Sequence, residues 1–247
     1  MKAKYGSESV MPYDDKEQKG TQVRRMFDAI ADTYDMLNHT LSFGFDKGWR
    51  RKAIAFLRPL QPKLLLDIAT GTGDLAIQIS ETFSEAQVIG ADISEGMMNV
   101  ARQKAKKKSL EKQLSFEQQD CTKLTFTDNQ FDAVTAAFGV RNFEDIEQGL
   151  REMHRVLKPN GHIVILELSS PENFPMKQLY QFYSKTIIPL VGRFFSKEKA
   201  AYSYLPASIR VVPQGKVMTS LLESIGFQNA KVKTLTFGIC SLYTAQK

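Results

Sequence analysis

The chain has 247 residues, of which 43% are apolar, 24% charged and 10% aromatic, and its formal net charge is +6 at pH 7. This apolar fraction excludes global disorder, and two cysteines and three scattered histidines predict neither a disulfide scaffold nor a metal site. No stretch approaches the roughly 20 apolar residues of a membrane span, and Met1–Gln18 has no apolar signal-peptide core. We therefore expect a cytoplasmic protein, with a flexible, solvated tail over residues 1–20 and a single domain over residues 21–247.

The predicted elements begin with two helices, over residues 22–37 and 46–57, whose apolar side chains recur at helical spacing. Strands then alternate with helices. The predicted strands cover residues 64–68, 88–92, 114–117, 131–138 and 162–168, and intervening helices follow residues 74, 94 and 144. A last helix over 213–226 precedes strand-like runs at 230–236 and 239–245. This order predicts an α/β fold with a doubly wound, mostly parallel sheet, and residues 21–58 are expected to lie over the site.

A glycine-rich turn follows the first predicted strand. The segment Gly71-Thr72-Gly73-Asp74-Leu75-Ala76 fits the G-x-G-x-x-G/A pattern and opens a helix. Glycines at Gly71 and Gly73 permit a tight turn and a close approach of a ligand to the backbone. A plain strand-to-helix turn would give the same pattern, so the loop alone does not identify the ligand.

Acidic residues around this loop distinguish between ligands. Asp92 ends the second predicted strand, 19 residues after Gly73, where a carboxylate can accept hydrogen bonds from the ribose hydroxyls of an adenosine. Asp67 and Asp74 place two further negative charges beside the loop, which would repel a pyrophosphate and attract a cation. The charges therefore favour S-adenosylmethionine over a dinucleotide. Asp120, after the third strand, is a candidate acceptor for the adenine amino group.

Three sequence blocks carry a resemblance to a known family. The blocks are Phe27-x6-Tyr34-Asp35-x2-Asn38-x3-Ser42-Phe43-Gly44, Asp67-Ile68-Ala69-Thr70-Gly71-Thr72-Gly73-Asp74 and Phe138-Gly139-Val140-Arg141-Asn142. Together they resemble the quinone-biosynthesis C-methyltransferases, which use S-adenosylmethionine to methylate demethylmenaquinone and the ubiquinone benzoquinol precursor. The resemblance covers about residues 22–246.

The resemblance implies a class I methyltransferase fold with seven strands, the last hairpin adding the antiparallel strand. It also implies cofactor contacts at Thr72, Asp92, Asp120 and Cys121. Many members of the family carry Asn-Ala in place of Asp120-Cys121 and Ser in place of Ala137. No metal is implied.

The implied reaction methylates a ring carbon, which becomes nucleophilic when an adjacent hydroxyl is deprotonated. Arg141, just after the fourth strand, is the candidate for stabilising the resulting phenolate, and Tyr34 is the candidate for positioning the quinol or a water. Asn142 is a candidate for holding the Arg141 loop. The structural alternative is that Arg141 and Asn142 cap the next helix and pair with Glu144 or Asp145.

Residues 171–212 interrupt the alternation of strands and helices. Eight aromatic residues fall within residues 174–204, with interleaved lysines and an arginine. A helical lid over the sheet would account for part of this composition. We also expect an apolar mouth for a polyprenyl tail, with transient contact at the inner face of the membrane. The sequence also leaves open the formation of a homodimer.

Four alternatives to demethylmenaquinol methylation are weighed at the level of function. Methylation of the ubiquinone benzoquinol precursor is the alternative to demethylmenaquinol, which we favour, and a small-molecule O- or N-methyltransferase would share the fold. A nucleic-acid partner is not expected, because the chain has no adjacent prolines of the kind found in enzymes that methylate base amino groups. A binding protein without catalytic activity is disfavoured by the glycine loop and Asp92.

Overall fold

The fold is taken from a computed structural model, which describes residues 3–188, 190 and 198–247. Seven strands form one sheet: β1 (Leu64–Ile68), β2 (Gln87–Asp92), β3 (Leu114–Gln118), β4 (Phe131–Ala137), β5 (Leu157–Leu168), β6 (Gln228–Leu235) and β7 (Cys240–Gln246). Their order is β3-β2-β1-β4-β5-β7-β6. Neighbouring strands from β3 to β5 pair in parallel, whereas β7 runs antiparallel to both β5 and β6. The predicted seven-stranded fold is confirmed.

Eight α-helices lie within the described part of the chain. They are α1 (Lys19–Leu41), α2 (Phe45–Leu57), α3 (Asp74–Thr82), α4 (Glu95–Lys107), α5 (Ile146–Val156), α6 (Met176–Phe182), α7 (Lys199–Val211) and α8 (Lys216–Ile225). A π-helical turn, Tyr183–Ile187, continues α6. Phe194, Phe195, Arg193 and Lys197 of the aromatic insert lie outside the described residues.

Alternate residues of the central strands fill two cores, one on each face of the sheet. Leu66, Val134 and Ile165 pack in the core with α5 and α8, whereas Leu65 and Val164 pack in the core with α2 and α3. Strands that are buried on both faces must be apolar at nearly every position, which is why they appear as continuous apolar runs in the sequence.

A third, smaller core positions α1 over the carboxyl ends of the strands. Val23, Met26 and Ile30 of α1 pack against Tyr202 and Tyr204 of α7. The N-terminal helices and the insert therefore enclose the edge of the sheet where ligands bind in open α/β folds.

The N-terminal segment differs from the solvated tail expected over residues 1–20. Residues Gly6–Ser9 form a 3-10 turn with Ser7 fully buried, and Lys19 already belongs to α1. Glu8 Oε1 accepts a hydrogen bond from the first backbone N–H of α5, that of Ile146, at 3.0 Å. The charge of Glu8 favoured a solvent-exposed position. A carboxylate is also stabilised at a helix N-terminus, and Glu8 caps the N-terminus of α5 in this way.

Strand β5 also begins earlier than predicted. Lys158-Pro159-Asn160-Gly161 indicated a turn, but β5 starts at Leu157, which pairs with Phe131 before the register shifts to Ala133 and His162. Asn160 has a positive φ of 66°, so the segment forms an irregular stretch inside the pairing.

Candidate active site

The glycine loop has the conformation that its sequence requires. Gly71 and Gly73 have φ of +55° and +78°. A Cβ on Gly73 would lie 2.9 Å from that of Ala101 on α4, so this position needs a glycine for packing as well as for its backbone angle. Nothing lies within 4 Å of a Cβ built on Gly71, which borders a cavity instead.

Asp92 closes this loop from the neighbouring strand. Its Oδ2 accepts a hydrogen bond from Gly71 N at 2.8 Å, and its Oδ1 accepts one from Ser94 N at 2.9 Å. Burial raises the pKa of the Asp92 carboxyl to about 6, so it is mostly ionised at pH 7. Each oxygen keeps a lone pair available for a ligand hydroxyl.

A cavity with about 800 Å³ of empty space, including solvent at its mouth, brings most of the predicted site together. Gly71, Asp92, Asp120, Cys121 and Tyr34 all border it. Asp120 Oδ1 accepts from Thr122 N at 2.9 Å, which fixes the turn after β3, and burial raises the pKa of the Cys121 thiol so that it stays protonated. Four of the six predicted cofactor contacts therefore meet at one cavity.

Thr72 and Gly73 do not border this cavity. Thr72 is buried, and its hydroxyl donates a hydrogen bond to Asp35 Oδ1 of α1. Thr72 therefore connects the glycine loop to the helix above it, and Gly73 packs beneath the loop against α4. Any contact of Thr72 with a cofactor would need its backbone or a different rotamer.

Asp67 and Asp74 place less negative charge at the cavity than the sequence indicated. Asp74 turns away from the cavity and pairs with Arg50 Nη2 at 3.0 Å and with Lys104. Asp67 is buried and accepts a hydrogen bond from Thr70 Oγ1 at 2.7 Å, and burial raises its pKa to about 6. Asp92 is therefore the acidic residue of this group that faces the cavity.

Asp74 also belongs to a cluster with His39 and Asp46 whose potential ligand atoms lie close enough to share an ion. The Arg50 guanidinium already occupies this cluster, with Nη1 2.6 Å from Asp46 Oδ2 and Nη2 3.0 Å from Asp74 Oδ2. The arginine thus pairs with both carboxylates, and Lys104 pairs with Asp74 as well.

Arg141 is buried and held by a partner that sequence reasoning missed. Its Nη1 lies 2.8 Å from Glu167 Oε1 on β5, and its backbone N–H donates to Glu167 Oε2 at 3.0 Å. The same guanidinium nitrogen also donates to the carbonyl of Phe138. Arg141 therefore does not pair with Glu144 or Asp145, as the structural alternative would have it, because β5 supplies a buried carboxylate directly beside the loop.

A second cavity, of about 520 Å³, adjoins the first. Arg141 borders it, and Phe27 and Tyr34 border both cavities. Tyr34 thus lies where the two predicted ligands would meet, and burial raises the pKa of its hydroxyl, which stays protonated. Asn142 borders the first cavity, and its Nδ2 reaches the Phe138 carbonyl at 3.4 Å, which is a weak contact.

A third cavity, with about 520 Å³ of empty space including adjoining solvent, adjoins the second. The two share Asn38, Leu41 and Leu205, and the third is otherwise mainly apolar and aromatic. The additional apolar and aromatic lining residues are Trp49, Phe138, Leu168, Tyr180, Tyr183, Ile188, Ile209 and Ile239. The three cavities form a series from Asp92 to Tyr183, bounded by α1 and the insert.

Lys19 is a further functional candidate that sequence reasoning missed. Its buried Nζ donates to the carbonyls of Ser7 at 2.6 Å, Phe143 at 3.1 Å and Arg141 at 3.3 Å. Lysine in the first turn of a helix gives no sequence signal of such a role. It connects the N-terminal segment to the loop that carries Arg141.

Comparison with known proteins places this geometry in a family. Residues 14–247 match the ubiE/COQ5 methyltransferase family. The demethylmenaquinone methyltransferase of Bacteroides fragilis is 54% identical over 243 residues, covering 98% of this chain and 99% of that protein. That of Porphyromonas gingivalis is 46% identical, covering 97% and 98%. The ubiquinone/menaquinone biosynthesis C-methyltransferase of Geotalea daltonii is 41% identical, covering 93% and 98%.

Solved structures share the fold at low sequence identity. The [4+2]-cyclase SpnF aligns with a TM-score of 0.68 at 17% identity, covering 97% of this chain and 99% of that one. Phosphoethanolamine N-methyltransferase 2 of Haemonchus contortus aligns with a TM-score of 0.65 at 18% identity, covering 91% and 60%. The chain belongs to the ubiE/COQ5 methyltransferase family.

Proposed function

We propose that this protein transfers a methyl group from S-adenosylmethionine to a ring carbon of a polyprenylated quinol, converting demethylmenaquinol to menaquinol. The observation that carries the proposal is the buried Arg141, which borders a cavity directly beyond the one at Asp92. The names of the relatives with 54% and 46% identity support the choice of demethylmenaquinol.

The first cavity fits the methyl donor. Asp92 would accept hydrogen bonds from the ribose hydroxyls, Gly71 would allow the ligand to approach the backbone, and Asp120 and Cys121 would lie against the adenine. When bound, S-adenosylmethionine supplies the methyl group. The sulfur keeps the electron pair of the bond to that methyl group.

The second cavity would hold the quinol ring with an oxygen at Arg141. Ionising a phenol of pKa near 10 at pH 7 costs roughly 4 kcal/mol, and a buried guanidinium offsets much of this cost. A water accepts the hydroxyl proton, because an arginine stays protonated and Tyr34 is kept neutral by burial. After the new carbon–carbon bond forms, the hydrogen on that ring carbon leaves as a proton and the ring becomes aromatic again.

Methylation of the ubiquinone benzoquinol precursor is the second candidate. A relative with 41% identity, that of Geotalea daltonii, is named for both ubiquinone and menaquinone biosynthesis. A small-molecule O- or N-methyltransferase is the third candidate, and the apolar third cavity argues against it, because such a substrate has no tail to fill that space.

The test is single-turnover transfer from methyl-labelled S-adenosylmethionine to reduced demethylmenaquinone and, in parallel, to the reduced ubiquinone precursor. We expect Arg141→Ala to slow transfer by about a hundredfold or more while it still binds the methyl donor. Because this change leaves Glu167 buried without its partner, the double variant Arg141→Met, Glu167→Met serves as a second test with no unpaired charge. Arg151→Ala, at an exposed ion pair, is the matched control.

The outcomes distinguish the candidates. Transfer to one quinol only would identify the ring, and wild-type rates in both Arg141 variants would refute the role of Arg141. If the wild type transfers no methyl to either quinol but binds the donor, the quinone assignment fails and the small-molecule alternative takes its place.

We also propose that the third cavity holds the start of the polyprenyl tail and opens at a membrane-docking face. This face consists of Phe43, Phe45 and Phe237, which are 75%, 53% and 77% exposed. Each adjoins the lining of the third cavity. The Phe43 ring lies 6.0 Å from that of Tyr183, the Phe45 ring stacks 6.5 Å from that of Trp49, and Phe237 follows Thr236, which accepts the Trp49 Nε1–H.

The backbone supports a role for these side chains. Phe43 and Phe237 have positive φ of 50° and 56°, a region that is unfavourable for a bulky residue and suits glycine or asparagine. Both side chains are mostly exposed to water, so burial in the core does not account for phenylalanine there. Exposed basic residues follow Phe45 along α2, among them Lys47, Arg51 and Lys52. The occupant we propose is therefore the surface of an anionic bilayer, at the inner face of the membrane. Within the described residues, no helix has the length and apolarity to span a bilayer.

The docking face is tested by flotation with vesicles of phosphatidylcholine alone or mixed with phosphatidylglycerol. We expect binding to the mixed vesicles to fall about tenfold or more in the triple variant Phe43→Ser, Phe45→Ser, Phe237→Ser, because each buried phenylalanine contributes roughly 1.5–3 kcal/mol. Leu60→Ser, at the opposite ends of the strands, is the control. Equal binding of the triple variant and the wild type would refute the face.

A further inference from the structure

Two buried polar atoms at the second cavity have no hydrogen-bond partner within the described part of the protein. They are the hydroxyl of Tyr204 on α7 and Nε of Arg141. Tyr204 is 4% exposed, and both residues border the cavity beyond Tyr34. The two unpaired atoms therefore come from different elements and share one empty space.

An unpaired buried hydroxyl is costly. Leaving such a group without a partner costs about 1–3 kcal/mol, and phenylalanine would avoid the cost among neighbours such as Met26, Ile30 and Leu205. The hydroxyl is useful only if something that enters the cavity accepts its hydrogen bond.

We propose that Tyr204 is a catalytic residue whose hydroxyl donates a hydrogen bond to the ring oxygen that Arg141 stabilises. The proposal rests on the proposed function, since it assigns a second contact to the same quinol. Arg141 supplies the positive charge and the free Nε–H, and Tyr204 supplies a neutral donor from α7.

The environment of Tyr204 fits a donor and not a base. Burial raises the pKa of its hydroxyl well above the ordinary value, even though Arg141 acts in the other direction. Tyr204 therefore keeps its proton at neutral pH and donates to the phenolate as that oxygen gains charge, while water takes the quinol proton. A donor that is already oriented stabilises the developing charge without reorganisation.

The test compares Tyr204→Phe with wild type in single-turnover methyl transfer to reduced demethylmenaquinone, with a parallel thermal unfolding measurement. We expect transfer to fall by about tenfold to a hundredfold at pH 7 while affinity for S-adenosylhomocysteine is retained. We also expect an unchanged or higher unfolding midpoint, because the unpaired hydroxyl is gone. The rate deficit should narrow as pH rises, since more of the quinol ionises without assistance.

Tyr243→Phe is the matched control, a buried tyrosine whose hydroxyl accepts from Gly215 N at 2.9 Å. It should lower the unfolding midpoint and transfer methyl at the wild-type rate. If Tyr204→Phe transfers at the wild-type rate, or if its deficit is the same at every pH, Tyr204 is a packing residue and the inference is overturned. Failure of the wild type to methylate the quinol would instead refute the proposed function itself.

Discussion

At the scale of single residues, Glu167 determines where the Arg141 guanidinium lies. Its Oε1 accepts from Arg141 Nη1 and from Leu168 N, and its Oε2 accepts from Arg141 N. We expect Glu167→Gln to lower stability by about 3–5 kcal/mol, the range measured when one partner of a buried ion pair is removed. Urea unfolding at pH 7 measures this loss.

The same variant separates positioning from folding. If Glu167 orients Arg141, the folded fraction of Glu167→Gln should show reduced kcat for the quinol and unchanged affinity for S-adenosylhomocysteine. Glu152→Gln, on the partly buried pair with Arg155 away from the cavities, is the control. A variant that is destabilised but has normal kcat would show that Glu167 only balances charge.

The raised pKa of the buried Asp67 carboxyl predicts that stability depends on pH. Burial raises its pKa from 3.8 to about 6, so the folded state binds a proton more tightly than the unfolded state between these values. The free energy of unfolding should therefore fall by about 3 kcal/mol in all from this carboxyl as pH rises from about 3 to 7, with about 2 kcal/mol of that fall between pH 4 and 6.

The variant Asp67→Asn tests whether Asp67 makes the free energy of unfolding fall as pH rises. The variant should lose part of the slope of the unfolding free energy between pH 4 and 6, and the slope that remains should come from Asp92, whose pKa is also raised to about 6. Urea unfolding at several pH values measures the slopes. A variant that follows the wild type at every pH would contradict the assignment.

Sequence reasoning identified residues that line the proposed ligand cavity better than it identified which side chains pair with each other. It selected Gly71 and Asp92 from the glycine-loop pattern, Asp120 from its place after the third strand and Cys121 from the family resemblance, and all four border one cavity. It missed Glu167, although a carboxylate within the apolar run 163–168 is a signal of a buried cation. Pairings between side chains from distant elements depend on rotamers, which spacing along the chain does not determine.

At the scale of elements, the N-terminal segment supports the site. Lys19→Met keeps the length of the side chain and removes the hydrogen bonds to the carbonyls of Ser7, Arg141 and Phe143. We expect a loss of about 1.5–3 kcal/mol and slower methyl transfer, because the Arg141 loop loses an anchor. Lys16→Met, at an exposed position, is the control. Equal behaviour of the two variants would show that the segment has no part in catalysis.

Element types were predictable because their apolar periodicity is strong, whereas some boundaries were not. Helix α1 begins at Lys19 and ends at Leu41, beyond the predicted 22–37, because its end turns pack on the insert and on the Arg141 loop. The N-terminal segment resembled a tail because charged residues dominate it, and only the tertiary contacts of Ser7 and Glu8 show that it is packed.

At the scale of the whole molecule, the proposed donor should stabilise the fold. At a concentration of S-adenosylhomocysteine 100 times its Kd, ligand binding adds about 2.7 kcal/mol, which for a chain of this size raises Tm by about 5–10 °C. Asp92→Ala should lose most of this shift, and Asp128→Ala, an exposed carboxylate, should keep it. The same shift in all three proteins would place the donor elsewhere.

The topology of the sheet could be predicted from the order of elements, because the connections of parallel strands have few solutions. The series of cavities could not be predicted from the sequence. It forms where α1, α7 and the edge of the sheet come together, and no local sequence pattern indicates which distant elements do so. The single domain over residues 21–247 and the homodimer stay predictions.

The docking face also bears on how the protein behaves when no membrane is present. The exposed parts of Phe43, Phe45 and Phe237 then face water or other copies of the chain, and large exposed apolar patches promote association. Concentrated lipid-free protein should therefore scatter more light and salt out earlier than the triple serine variant. Added vesicles should reverse both effects, so that lipid acts as the solubilising agent of a protein that folds without it.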